Sequence, residues 1–172
     1  MKESKLYFVA VLLVFSLTVN EMRASDRASQ WGRGDIPVMD FDTFYPMLSK
    51  ENDTIYVINF WATWCAPCVR EIPAFEQLYA TYKEQLVQVV LVSLDNPDHL
   101  ESRVLPFLDR MDVQSRVILL DDPRSSRWIP LVSDEWTGAI PATIVQARNH
   151  HAFYEREFKF EELEEIILPL LN

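Results

Sequence analysis

Two segments restrict the fold most: TIYVINFWA (Thr54–Ala62) and VQVVLVSL (Val87–Leu94). Each is a short run of β-branched and aromatic residues with little polar alternation, the pattern of a strand covered on both faces. Between them the period changes, and Phe75, Leu78, Tyr79, Tyr82 and Leu86 recur at helical spacing. Buried strands joined by a helix pair in parallel through a right-handed crossover. RVILL (Arg116–Leu120) reads as a third such strand. It follows a helix that Asn96 caps, Pro97 opens and Leu100, Val104, Phe107 and Leu108 turn inward, ending near Met111. Further helices are expected around Phe41–Lys50, where Pro46 interrupts the pattern, around Ser126–Ser133, and over Phe160–Leu171. ATIVQA (Ala142–Ala147) and AFYEREF (Ala152–Phe158) flank the turn-prone Arg148–His151 and read as a hairpin. The order predicts an α/β fold, a central mixed β-sheet flanked by helices.

The chain of 172 residues holds one domain of ordinary size, placed at residues 36–172, and only three glycines argue for a packed rather than a loop-rich structure. A net charge of −10 works against nucleic-acid binding, which needs a basic footprint. At the N-terminus, weakly basic Met1–Lys5 precedes the uninterrupted apolar run Leu6–Val19. That run is shorter than the roughly 20 residues of a membrane span and suits the core of an export signal. Residues 1–24 therefore read as a signal peptide or, because Met22-Arg23-Ala24 matches a cleavage site poorly, as an uncleaved N-terminal membrane anchor. Residues 25–35 read as a linker. The expected mature protein is exported, either soluble or tethered by one end.

The chemistry concentrates in WATWCAPCVREIP (Trp61–Pro73), which contains both cysteines of the chain. As a structural staple, Cys65–Cys68 closes too short a loop to restrict the unfolded chain. A zinc site needs about four ligands, and the remaining candidates are His99, His150 and His151, the last two in the expected turn. No metal or cofactor is expected, although a thiolate pair also suits Cu(I), and a copper-carrying reading stays open. As a redox couple the pair is well placed. It sits where a strand ends and a helix begins, facing unpaired backbone N–H groups and the positive end of the helix dipole. Cys65, first and nearer solvent, is the expected attacking thiolate; Cys68, one turn in, is the expected resolving thiol. Pro67 is tolerated in the first helical turn, whereas Pro73 deletes a hydrogen bond and is expected to bend the helix.

Asn59-Phe-Trp-Ala-Thr-Trp-Cys-Ala-Pro-Cys68, with Glu71 and Pro73 behind it and Gly138-Ala-Ile-Pro-Ala-Thr143 before a late strand, resembles the thioredoxin superfamily, specifically the exported ResA/TlpA-like thiol–disulfide oxidoreductases. The helix and strand across Pro97–Leu120 match that group's insertion. The resemblance spans about residues 54–171 and implies a thioredoxin-like fold. It also implies a cis Ile140–Pro141 bond beside the couple, against which an incoming substrate chain pairs, with Trp64 and Pro67 part of the docking surface. Glu71 is implied to tune proton transfer at the dithiol; its alternative is a solvated surface glutamate. Asn59 stands where cytosolic thioredoxins carry a buried aspartate, and an amide cannot titrate. Trp61 reads as core, and Trp136 either lines the substrate groove or simply packs. The implied partners are a disulfide-bearing protein such as an apocytochrome c, as in cytochrome c maturation, and a membrane thiol electron donor. The implied setting is the bacterial periplasm or cell envelope, and the implied state a monomer. Tryptophan before the couple and proline before its second cysteine resemble the reducing members. Besides copper carriage, an interaction module with incidental cysteines remains an alternative.

Overall fold

The computed structural model describes residues 36–49 and 52–171. The signal or anchor expected at 1–24 and the linker at 25–35 lie outside these residues. Six strands form one mixed sheet: β1 (Val38–Met39), β2 (Ile55–Trp61), β3 (Val87–Ser93), β4 (Arg116–Leu120), β5 (Ala142–Ala147) and β6 (His150–Tyr154), in the spatial order β1-β4-β3-β2-β5-β6. β1, β4, β3 and β2 are mutually parallel, and β5 and β6 extend the sheet as antiparallel strands. This is the mixed sheet that the order of apolar runs predicts. Every residue of β2 is buried, because helices cover both of its faces.

Strand parity decides which residue meets which helix. Ile55, Val57 and Trp61 of β2 point into one core with Ile72, Phe75 and Leu78 of helix α2 (Ala66–Tyr82) and with Leu163 and Ile167 of the last helix, α5 (Phe160–Ile167). Tyr56, Ile58 and Phe60 point into a second core on the other face. It is rich in aromatics and contains Phe41 and Phe44 of helix α1 (Phe41–Phe44) and Trp128 of helix α4 (Ser125–Val132). Trp61 is fully buried, as expected, and its ring lies tilted against Phe107 with ring centroids 5.1 Å apart.

Prolines account for most differences from the expected elements. The helix expected over Phe41–Lys50 is α-helical only to Phe44 and then tightens into a 3-10 turn, Tyr45–Met47, around Pro46. The segment after Asn96 is not one α-helix. It runs as a 3-10 turn (Pro97–His99), a π-turn (Leu100–Val104) and then α3 (Leu105–Arg110). Pro106 has no N–H to donate and its ring crowds the carbonyl four residues back, so the widened turn before it relieves the clash. α5 likewise ends at Ile167, before a 3-10 turn containing Pro169. α2, by contrast, continues through Pro73 to Tyr82. The hairpin is also tighter than expected: Ala147 pairs with His150, so the turn is only Arg148-Asn149 and both histidines lie on β6. Residues after Tyr154 leave the ladder, which frees Phe158 for a different partner. No helix among the described residues is long and apolar enough to cross a membrane.

Candidate active site

The couple stands where β2 gives way to α2. β2 ends at Trp61, and Ala62, Thr63, Trp64 and Cys65 make a turn closed by the Cys65 N–H donating to the Ala62 carbonyl at 3.1 Å. Cys65 is then the N-cap of α2 in extended conformation, with φ −90° and ψ 100°. The Cys68 N–H donates to Cys65 Sγ at 3.3 Å. The Cys65 sulfur thus takes the place of the oxygen that usually caps a helix, and in the reduced dithiol negative charge on it is favoured by this donor and by the helix dipole. Cys65 and Cys68 are joined as a disulfide, with Cα atoms 5.3 Å apart.

Cys65 was expected at an exposed helix start, yet it is only 6% accessible, while Cys68 is fully buried. The loop before β5 supplies the cover. The Ile140–Pro141 bond is cis, and the Ile140 carbonyl oxygen lies 3.6 Å from Cys65 Sγ. That loop is shaped by Gly138, whose φ of +95° is costly for any residue with a Cβ. It is supported from below by Trp136, whose Nε1–H donates to the Ala139 carbonyl at 2.7 Å. Trp136 is itself buried against Phe60 and Trp128, so of its two expected roles the structure gives packing rather than groove lining. Trp64, beside the couple, is 65% exposed, and Pro67 is half-buried.

Glu71 is 1% accessible, which overturns its reading as a solvated surface glutamate. Strand parity explains the burial: Asn59 shares the face of β2 that meets α2, so its amide reaches inward to the helix. Its Nδ2 donates to Glu71 Oε1 at 2.7 Å and to Thr143 Oγ1 at 3.1 Å. Glu71 Oε2 accepts the Phe158 N–H at 2.9 Å. Burial pushes the carboxyl up to about 7, more than the bonds from Phe158 and Asn59 pull it down. A group poised there holds or releases a proton near neutrality.

Other polar contacts at the site were not anticipated. Asp95, 3% accessible and two residues past β3, accepts from the Thr63 N–H at 2.9 Å and the Thr63 hydroxyl at 2.6 Å. On the opposite rim, Glu155 accepts from both the N–H and the hydroxyl of Thr137 in the proline loop. Both are long-range contacts. Only the parallel register Trp61↔Ser93, continued two residues to set 63 opposite 95, would have pointed to the first.

Neither cysteine lines a cavity at the other end of the sheet. A cavity of about 550 Å³ sits at the far end of the sheet, lined by Ile55, Leu86, Arg148, His150 and Leu170 among others, and contains no redox-active group. His150, which lines that cavity, and His151 beside it on β6 therefore stand apart from the cysteines, and among the described residues no cluster of three His, Cys, Asp or Glu side chains is arranged to hold a metal.

Comparison with known proteins agrees with this geometry. The chain is 49% identical over 57 residues to the thiol-disulfide oxidoreductase ResA of Oceanobacillus iheyensis, a match covering 33% of this chain and 28% of that protein. The chain thus spans less than a third of that curated relative. A crystal structure of a proposed thiol:disulfide interchange protein DsbE from Chlorobium tepidum superimposes with TM-score 0.58 at 26% identity, covering 73% of this chain and 85% of that one. A thioredoxin family thiol:disulfide interchange protein, also from Chlorobium tepidum, gives TM-score 0.60 at 20% identity over 74% and 84% of the two chains, which establishes the thioredoxin-like fold. The AhpC/TSA family profile matches residues 45–151, and the chain belongs to that family.

Proposed function

We propose that this chain is a thiol–disulfide oxidoreductase that reduces disulfides in partner proteins of the cell envelope. The observation that carries the reading is the placement of Cys65: its sulfur caps α2, receives the Cys68 N–H and lies against the Ile140 carbonyl beside a cis proline, with Cys68 buried behind it. In the reduced state, Cys65 thiolate attacks one sulfur of the substrate disulfide. A Cys65–substrate S–S bond forms, and the other substrate sulfur leaves as thiolate. Cys68 then loses its proton and attacks Cys65 Sγ, releasing the second substrate sulfur. The substrate gains two electrons and two protons, and the Cys65–Cys68 pair becomes the disulfide. Glu71, poised near neutrality, is the group in this reading that relays the Cys68 proton. Trp64, Pro67, Ile140 and Pro141 form the docking surface, with the exposed Trp64 ring meeting the partner.

The thiol donor that returns the couple to its dithiol form lies in the membrane. Residues 1–24 export the domain or tether it near that donor, and residues 25–35 are the linker. Reduction of an apocytochrome c or another envelope protein is the job that follows. Direction is tested by the reduction potential of the couple in graded thiol/disulfide buffers. A value near about −270 mV supports a reductase, and one near about −120 mV makes the protein a disulfide donor instead. Mass measurement of the exported protein decides between a cleaved signal and a retained anchor.

A further inference from the structure

Asp95 is a buried carboxylate that the exchange steps above do not use. No lysine or arginine among the described residues pairs with it. All its partners are polar groups of β3 and of the turn before Cys65. Oδ2 accepts from the Thr63 N–H at 2.9 Å and from the Ser93 hydroxyl at 2.9 Å, and Oδ1 accepts from the Thr63 hydroxyl at 2.6 Å. The Asp95 N–H donates back to Ser93 Oγ at 3.1 Å, and the Leu94 N–H donates to the Trp61 carbonyl at 2.8 Å. The carboxylate therefore grips one turn residue by its backbone and its side chain together, from a strand end that is itself tied down.

The residue it grips occupies the first corner of the Ala62–Cys65 turn, Trp64 the second, and Cys65 follows as the N-cap. Rotation of the Thr63 backbone swings the Trp64 ring and moves Cys65 Sγ off the Cys68 N–H. Hydrogen bonds to a charged acceptor in a water-poor site are strong, and breaking one strands the other partner. We propose that Asp95 is a positioning residue for thiol–disulfide exchange: through Thr63 it fixes the turn that presents Trp64 and holds Cys65 Sγ on the Cys68 N–H in the first turn of α2. This role rests on the exchange reading of the couple but has its own readout.

Thr63→Val deletes the hydroxyl donor, keeps the branched shape and alters no charged group: Glu71 and Arg70 on α2, Asp95 past β3, and Glu155, Arg156 and Glu157 past β6 are all retained. In the reduced full-length protein, alkylation of Cys65 is followed against pH. The midpoint reports the thiolate, and the plateau at high pH reports access. The expected result is an upward shift of the midpoint, so that alkylation below it slows at least about threefold, because a tenfold change in thiolate fraction is one pKa unit. Thr63→Ser, which restores the hydroxyl, returns the profile to within about twofold. An unchanged midpoint in folded Thr63→Val overturns the proposal, even if the melting temperature falls. If Thr63→Val does not fold, Asp95→Asn is read in its place. Loss of a neighbouring negative charge alone would move its midpoint down, so an upward shift supports positioning, and no shift or a downward one overturns it. Failure of the wild-type protein to reduce any protein disulfide would reject the exchange reading, and the alkylation profile would still decide the role of Asp95.

Discussion

The two loops that meet at the couple are held by the same device in different settings. On the Cys65 side, Asp95 accepts from the N–H and hydroxyl of Thr63; on the proline side, Glu155 accepts from the N–H and hydroxyl of Thr137. The first carboxylate is buried, and the second lies at the surface with Thr137 and Ala139 exposed beside it. Water can replace the outer grip but not the inner one. The Cys65 loop is thus fixed by its clamp. The proline loop depends more on what lies beneath it: Trp136 under Ala139, the positive φ of Gly138, and Thr143 tied through Asn59 to Glu71. The sulfur is held still, while the wall beside it, which in the proposed reading meets the partner chain, keeps a softer outer edge.

Several substitutions would break or sharpen this contrast, and the largest effect is expected on the buried side. Asp95→Ala strands the Thr63 donors and the Ser93 hydroxyl, and should cost about 2–4 kcal/mol in denaturant unfolding. An effect below about 1 kcal/mol would mean that the inner clamp is no firmer than the outer one. Next comes the carboxyl beneath the proline loop. Glu71 has a folded-state pKa raised from 4.5 to about 7. Between those values the unfolded chain releases the proton and the folded chain keeps it, so stability should fall as pH rises through that window and level off above it. The total is on the order of 3 kcal/mol. Glu71→Gln should flatten this slope, at a constant cost from the acceptor that its amide cannot supply, and chemical unfolding at several pH values would show it. A slope that survives in Glu71→Gln must come from another group.

Gly138→Ala is expected to cost about 1–2 kcal/mol, because its φ of +95° is strained for any residue with a Cβ and the new methyl would sit 3.3 Å from Ile129 Cδ1. It should also slow exchange with a protein disulfide more than it slows alkylation of Cys65, since it deforms the wall and not the sulfur. The smallest effect belongs to Glu155→Ala, below about 1 kcal/mol, as expected when water can take over the surface contacts of a half-buried carboxylate. A loss as large as that of Asp95→Ala would erase the distinction between the two loops.

How much of this was legible in the sequence depended on how local the cause was. β2, β3 and β4 follow from apolar runs, and the placement of Cys65-Ala-Pro-Cys68 at a helix start follows from the change of period after Ala62. Strand parity placed Asn59 on the face of α2, a usable signal that Glu71 would meet it and be buried. Without that signal Glu71 stays open between the proton-tuning role that the resemblance implies and a solvated surface position. The Asp95–Thr63 clamp joins residues 32 apart along the chain, a contact that no local sequence pattern signals. The hairpin turn is tighter than its sequence suggests, because Arg148-Asn-His-His151 is polar throughout while only Arg148 and Asn149 turn. α2 continues through Pro73, where a bend is expected, whereas the segment before Pro106, read from its apolar spacing as one helix, widens into a π-turn.

The measurement that bears most directly on the central claim is a trapping experiment with reduced, full-length Cys68→Ser and an oxidised, disulfide-bearing protein. Attack by Cys65 without a resolving thiol should accumulate a covalent adduct that reductant releases and that peptide mapping places at Cys65, with none formed by Cys65→Ser. Absence of an adduct from folded Cys68→Ser, or an adduct that forms equally well without Cys65, would contradict the assignment of this couple to protein disulfide exchange.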